Sequence, residues 1–192
     1  IKMIDRFFYR EKKIKISKTA IISRKSRISK DVCIGDYTVI RDNASIGSGT
    51  VINNHVVIES NTIIGKNCYI KSGSVIGEDG FGFAKDESGI PKRFPHTGNV
   101  FIGDNVEIGA SSIIARGTLD TTKILNNVKI DDRVFIAHNV IIGENTMIVA
   151  CSEISGSSKV GKNCWIGPNT TITDQVVIGD NVFLGIGSTI SE

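Results

Sequence analysis

Isoleucine recurs at every sixth position of this chain, at 16, 22, 28, 34, 40, 46, 52, 58, 64, 70 and 76 without a miss. The period resumes at Ile102, Ile108 and Ile114. It then runs from Ile124 to Ile190, with Val160 and Leu184 as the substitutes. The position after the aliphatic is often glycine, as in Gly35, Gly47, Gly103 and Gly143. The fourth position after it is small or β-branched, as in Ala20, Thr38, Thr50 and Ser152. A period of six fits neither a helix nor an alternating strand. It predicts short strands joined by regular corners: aliphatic inward, small residue beside the corner, glycine easing the turn. The expectation is an all-β solenoid over residues 16–192, preceded by a basic segment at 1–15.

Two interruptions break the period. Between Ile76 and Ile102 the chain takes 26 residues where six would suffice, so a long excursion loop is expected over 77–101. It carries Gly80, Gly82, Gly89, Pro91 and Pro95 together with Phe81, Phe83 and Phe94. Exposed phenylalanines in a glycine-rich loop predict a surface that meets a ligand or another subunit. A second, four-residue insertion falls within 115–123, and solenoid insertions gather on the functional face.

Composition adds a compartment and a charge asymmetry. Aromatics make up only 6% of the chain against 40% hydrophobic residues, as a β core of Ile and Val requires. No apolar run approaches the roughly 20 residues of a membrane span, and no signal-peptide pattern opens the chain, so a cytoplasmic protein is expected. Cys68 and Cys164 fall in small-residue slots of the repeat, and no C-x-x-C pair exists, so the four cysteines read as thiols rather than disulfides or metal ligands. Residues 1–30 hold eleven Lys or Arg against Asp5 and Glu11. Such a cluster either attracts phosphates or an acidic partner, or simply caps the solenoid with solvated charge. The chain ends barely past its last repeat isoleucine, which predicts that further chain or an assembly covers that end.

The pattern resembles the hexapeptide-repeat proteins, which wrap three units into each coil of a left-handed parallel β-helix. That resemblance implies 18 residues per coil, and it places Gly156 one coil, about 5 Å, from His138. An imidazole beside a glycine amide has the parts for acyl transfer, a base for the attacking amine and a donor for the oxyanion. Asp120, Asp131 and Asp132 are the carboxylates that could orient the ring. His55 reads as a surface residue, and His96, in the excursion, has no evident partner.

The ordered segments 77–83 (GEDGFGF), 106–110 (VEIGA), 116–120 (RGTLD), 128–131 (VKID) and 136–140 (IAHNV) resemble the N-acyltransferases of lipid A synthesis over roughly residues 16–190. Members acylate a UDP-linked 3-O-acyl-glucosamine from acyl carrier protein. The resemblance implies His138 as general base, Gly156 as oxyanion glycine and Asp131 as an acidic pocket residue. Asn139, Gly80, Phe81 and Phe83 are implied as substrate contacts. It further implies a homotrimer with sites between subunits, no metal, no bound cofactor, and acyl-CoA or acyl carrier protein as co-substrate. Where the family has a second histidine near the donor site, this sequence has Gln175. A smaller relative that acylates another nucleotide-linked amino sugar for surface polysaccharide fits the same residues. The alternatives are weaker. A zinc carbonic anhydrase of this fold needs three convergent histidines. A non-catalytic structural solenoid would show flat, uninterrupted faces. A nucleic-acid binder needs stacking aromatics within its basic patch.

Overall fold

Each hexad folds as a two-residue strand and a corner, because only one inward aliphatic separates successive turns of the chain. The computed structural model describes residues 15–191. The basic segment expected at 1–15 therefore lies almost wholly outside the described residues. The strands stack into three parallel sheets of nine, eight and eight members, one per face of a left-handed parallel β-helix. One face carries the ladder Ile22, Ile40, Ile58, Ile76, Ile114, Ile136, Ile154, Ile172 and Ile190. No helix among the described residues is long and apolar enough to cross a membrane.

The core is the isoleucine column itself. From Ile34 to Ile172 the inward aliphatics are essentially sealed from solvent. Backbone amides bond to carbonyls of the following coil, as in Phe135 N–H to Ser152 (3.0 Å) and Ala137 N–H to Ile154 (2.9 Å). From Val32 to Thr170 most of the small slots are also buried, and most of their hydroxyls are satisfied across coils, with Thr62 Oγ1 the exception that finds no partner among the described residues. Thr38 Oγ1 donates to the Asn53 carbonyl at 2.7 Å and accepts from Val56 N–H at 3.2 Å. Cys68 does the same with sulfur, Sγ to the Gly103 carbonyl at 3.1 Å, and burial pushes its thiol pKa up.

The glycines after the aliphatic have a different reason from the one expected. Left-handed backbone occurs two positions later, mostly at asparagine: Asn43, Asn61, Asn127, Asn145, Asn163 and Asn181 all have φ near 60°. Asparagine tolerates that conformation better than most residues. These side chains also bond coil to coil, Asn43 to Asn61 at 3.3 Å and from Asn127 through Asn145 and Asn163 to Asn181 at 3.0–3.1 Å. The glycine is needed for proximity. A Cβ on Gly47 would lie 2.5 Å from the Gly65 carbonyl oxygen.

Both interruptions fall where the period placed them. Ile76 pairs with Ile114, 38 positions on, and Ile114 with Ile136, 22 positions on. The excursion leaves the prism at Gly77 (φ 92°). It is more ordered than a loop: Phe83–Lys85 and Pro91–Arg93 form an antiparallel hairpin, closed by Asp86 Oδ1 accepting from Ser88 and Ile90 N–H. The four-residue insertion braces it. Arg116 donates from Nε to the Gly77 carbonyl and lies 3.7 Å from Asp79, and Thr97 N–H reaches the Thr118 carbonyl at 2.8 Å.

Neighbouring isoleucines give a direct check of the inward register. Ile64 is buried and Ile63, beside it on the same strand, is 41% exposed. Ile64→Ala is expected to cost about 2–5 kcal/mol of unfolding free energy. Ile63→Ala is expected to stay within about 0.5–1 kcal/mol in the same denaturant titration.

Candidate active site

His138 follows Ile136 at a corner, two residues past the buried isoleucine. The same corner position one coil on is Gly156, and two coils on it is Asp174. The fold therefore delivers the predicted pair by register alone. Ser157 N–H bonds to the His138 carbonyl at 2.9 Å, which fixes the two corners against each other. The ring of His138 lies flush on Gly156: a Cβ there would meet Cε1 at 2.6 Å and Nε2 at 2.8 Å. Gly156 N–H has no acceptor among the described residues, and Gly156 is buried. Gln175 donates its own N–H to the Gly156 carbonyl at 2.9 Å.

Asn139 secures the corner. Its backbone is left-handed (φ 61°), its N–H donates to Thr122 Oγ1 at 2.9 Å, and its Oδ1 accepts from Thr118 N–H at 2.9 Å. Its Nδ2 sits 3.4 Å from His138 Nδ1. The side chain implied as a substrate contact is thus engaged within the protein, tying the insertion to His138.

Within one chain, none of the carboxylates that could orient His138 bonds to it. Asp131 follows Ile130 at the corner that precedes the Phe135–Ile136 strand, whereas His138 sits at the corner that follows it. A separation of seven residues exceeds one hexad, so within one chain the two occupy different edges of the prism. Asp132 pairs with Lys71 (3.2 Å) and accepts from Ala110 N–H (2.7 Å), the latter contact leading in holding its carboxyl below the usual range. Asp120 accepts from Thr121 N–H. The acidic group that His138 does sense is Asp174, whose column position was readable at 36 residues from His138.

The residue that sequence spacing missed is His96. It is 6% exposed and packs edge-on against His138, with ring centroids 5.5 Å apart at 65°. It arrives from the excursion, where coil register does not apply. Gly80 lies between the two rings, its would-be Cβ 3.0 Å from His96 Nε2 and 3.3 Å from His138 Cδ2. The phenylalanines point elsewhere. Phe81 is 85% exposed and packs on Phe83 (5.0 Å), over which Arg93 lies at 5.0 Å. With Ala84, Lys85 and Pro91 they line a shallow apolar cleft on the hairpin, so these rings do not tack the excursion to the prism. His55 is exposed, stacked on Tyr37 at 5.2 Å.

Comparison with known proteins agrees with the repeat. The family described as bacterial transferase hexapeptide (six repeats) matches residues 25–60, 43–78, 121–156 and 157–192. The hexapeptide repeat of succinyl-transferase matches 99–119 and 139–174. A 45-residue stretch is 60% identical to UDP-3-O-acylglucosamine N-acyltransferase 2 of Legionella pneumophila, covering 23% of this chain and 13% of that protein. A 44-residue stretch is 54% identical to UDP-3-O-acylglucosamine N-acyltransferase of Coxiella burnetii, with the same shares. Among solved structures, UDP-N-acetylglucosamine acyltransferase from Campylobacter jejuni superposes with a TM-score of 0.83 at 26% identity, covering 93% of this chain and 68% of that one. UDP-N-acetylglucosamine O-acyltransferase from Moraxella catarrhalis gives 0.83 at 27%, covering 92% and 66%. The chain thus spans about two thirds of these structures, and its matches to the curated relatives span 13% of their length.

Burial first, and His96 second, hold the His138 imidazole below its ordinary 6.5, against an upward pull from Asp174. A lowered value means that the neutral ring persists into more acidic solution. The ring C–H resonance of His138 is therefore expected to titrate with a midpoint below 6.5. A midpoint at or above 6.5 would contradict the environment described.

Proposed function

The chain belongs to the bacterial hexapeptide-repeat transferases, and from that premise we propose that it is an acyltransferase moving an acyl group from a pantetheine thioester to the amine of a nucleotide-linked amino sugar. One observation carries this reading: a half-buried histidine held below its ordinary pKa lies flush on a glycine whose N–H has no acceptor among the described residues. The relatives that match in sequence are named for N-acylation of a UDP-linked glucosamine derivative, and the structural neighbours for acylation of UDP-N-acetylglucosamine. The shared chemistry is acyl transfer to a UDP-linked glucosamine. With the resemblance to lipid A N-acyltransferases in the 77–83, 116–120 and 136–140 segments, it favours nitrogen as the acceptor atom.

The chemistry follows from the two parts. The amine nitrogen attacks the thioester carbonyl while His138 removes its proton, a contribution of about 10²–10⁴ in rate. The carbonyl oxygen becomes an oxyanion that Gly156 N–H stabilises. Collapse breaks the C–S bond, the imidazolium returns the proton to the leaving thiolate, and an amide and a free thiol result. The donor is acyl-CoA or acyl carrier protein, a co-substrate that leaves with each turnover. The exposed Phe81–Phe83 pair supports a site completed against a second copy or a ligand, in keeping with a homotrimer acting in the cytoplasm.

The test is product identification. Protein incubated with UDP-linked 2-amino sugars and either donor should yield a product heavier by one acyl group on nitrogen, read by mass spectrometry. Acylation of UDP-N-acetylglucosamine on oxygen would overturn the choice of amine, and no product with either acceptor would overturn acyl transfer. His138→Ala should lower turnover about 10²–10⁴-fold with an unchanged melting temperature.

A further inference from the structure

We infer that His96 is the positioning residue of this site: carried by the excursion, it holds the edge of the His138 ring and closes it from water, so the base becomes competent only when the excursion is docked. The inference rests on the reading of His138 as the base and extends it to a residue outside the repeat.

Three features converge on His96. Its ring is over nine-tenths buried although it sits in an excursion whose other aromatic side chains, Phe81, Phe83 and Phe94, are exposed. Its Nδ1 lies 3.2 Å from the Phe94 carbonyl, an acceptor, so Nδ1 carries the proton and donates it there. The opposite nitrogen, Nε2, is buried and without a partner among the described residues. A buried polar atom left unbonded is costly, and proteins keep such groups mainly where they serve a function. Here the ring that carries it meets His138 edge to face.

The surrounding glycines are shaped for this contact. A Cβ on Gly82 would stand 2.6 Å from His96 Cε1, and one on Gly80 would press on both rings. The chain can therefore cross the site only as a bare backbone. The groups that face His138 are His96 from the excursion, Asn139 beside it and Asp174 from the coils beyond. Arg116, in the preceding coil, is turned to Asp79 and the Gly77 carbonyl. His96 acts on the His138 ring through packing and exclusion of water. The desolvation that leads in lowering the His138 pKa is consistent with this seal.

The test reads His138 directly and needs no substrate, so it is separate from the question of which reaction is catalysed. The His138 ring C–H resonance is titrated in the intact chain and in two variants. His96→Ala removes the ring and should shift the His138 midpoint upward toward 6.5. His96→Phe keeps a ring of similar shape without its nitrogens, and should leave the midpoint lower than in the alanine variant. With acyl transfer as the assay, the acid limb of kcat/KM should move in the same order. An alanine variant that titrates like the parent would overturn the inference. So would a phenylalanine variant whose midpoint reaches 6.5, and that result stands even if the alanine variant does not fold.

Discussion

Coil-to-coil registry is the constraint on which the rest of this structure depends. Each backbone amide on a face finds its acceptor one coil on, and each inward isoleucine stacks on the next. A residue's position in the hexad therefore sets its depth, and its position in the 18-residue coil sets its edge of the prism. Stability of this kind is close to a nearest-neighbour sum, in which no coil buries its own face alone. The polar slots obey the same registry. Buried hydroxyls such as those of Thr38 and Ser74 bond across coils, and corner asparagines form a ladder parallel to the core.

The site arises where registry and its interruption meet. Registry stacks His138, Gly156 and Asp174 in one corner column, and it requires glycine at 156 because the ring above leaves no room for a Cβ. The excursion and the four-residue insertion then cover that column from adjacent coils. Arg116 and Thr118 grip the excursion's ends while Asn139 joins the insertion to His138. A uniform prism would leave His138 an ordinary surface histidine. The inserted segments supply burial of the kind that holds its pKa below the ordinary value.

This division explains what the sequence made legible. The six-residue period revealed the solenoid, its core and both insertion points, because each depends only on local spacing. The His138–Gly156 pair was legible for the same reason, at one coil's separation. The role of the glycines after each isoleucine was not. Proximity to the next coil and a left-handed corner both favour glycine, and only the backbone angles show that the corner falls to asparagine instead. Asp131 shares no edge with His138 within one chain, because seven residues of separation exceed one hexad, and spacing along a single chain says nothing about the neighbouring subunit against which the resemblance sets its pocket. His96 could not be found by counting, since 20 extra residues and a hairpin lie in its coil. The hairpin itself was hidden, as Phe83–Lys85 and Pro91–Arg93 lack any strong alternation.

The most direct measurement of the registry account is the turnover of Gly156→Ala beside its unfolding transition. Gly156 does not use left-handed backbone, so alanine is tolerated by the corner but collides with the imidazole one coil away. The account predicts a melting temperature close to the parent's and acyl transfer reduced by about 100-fold, as expected for a base displaced by about an ångström. Undiminished turnover with the methyl group in place would contradict it.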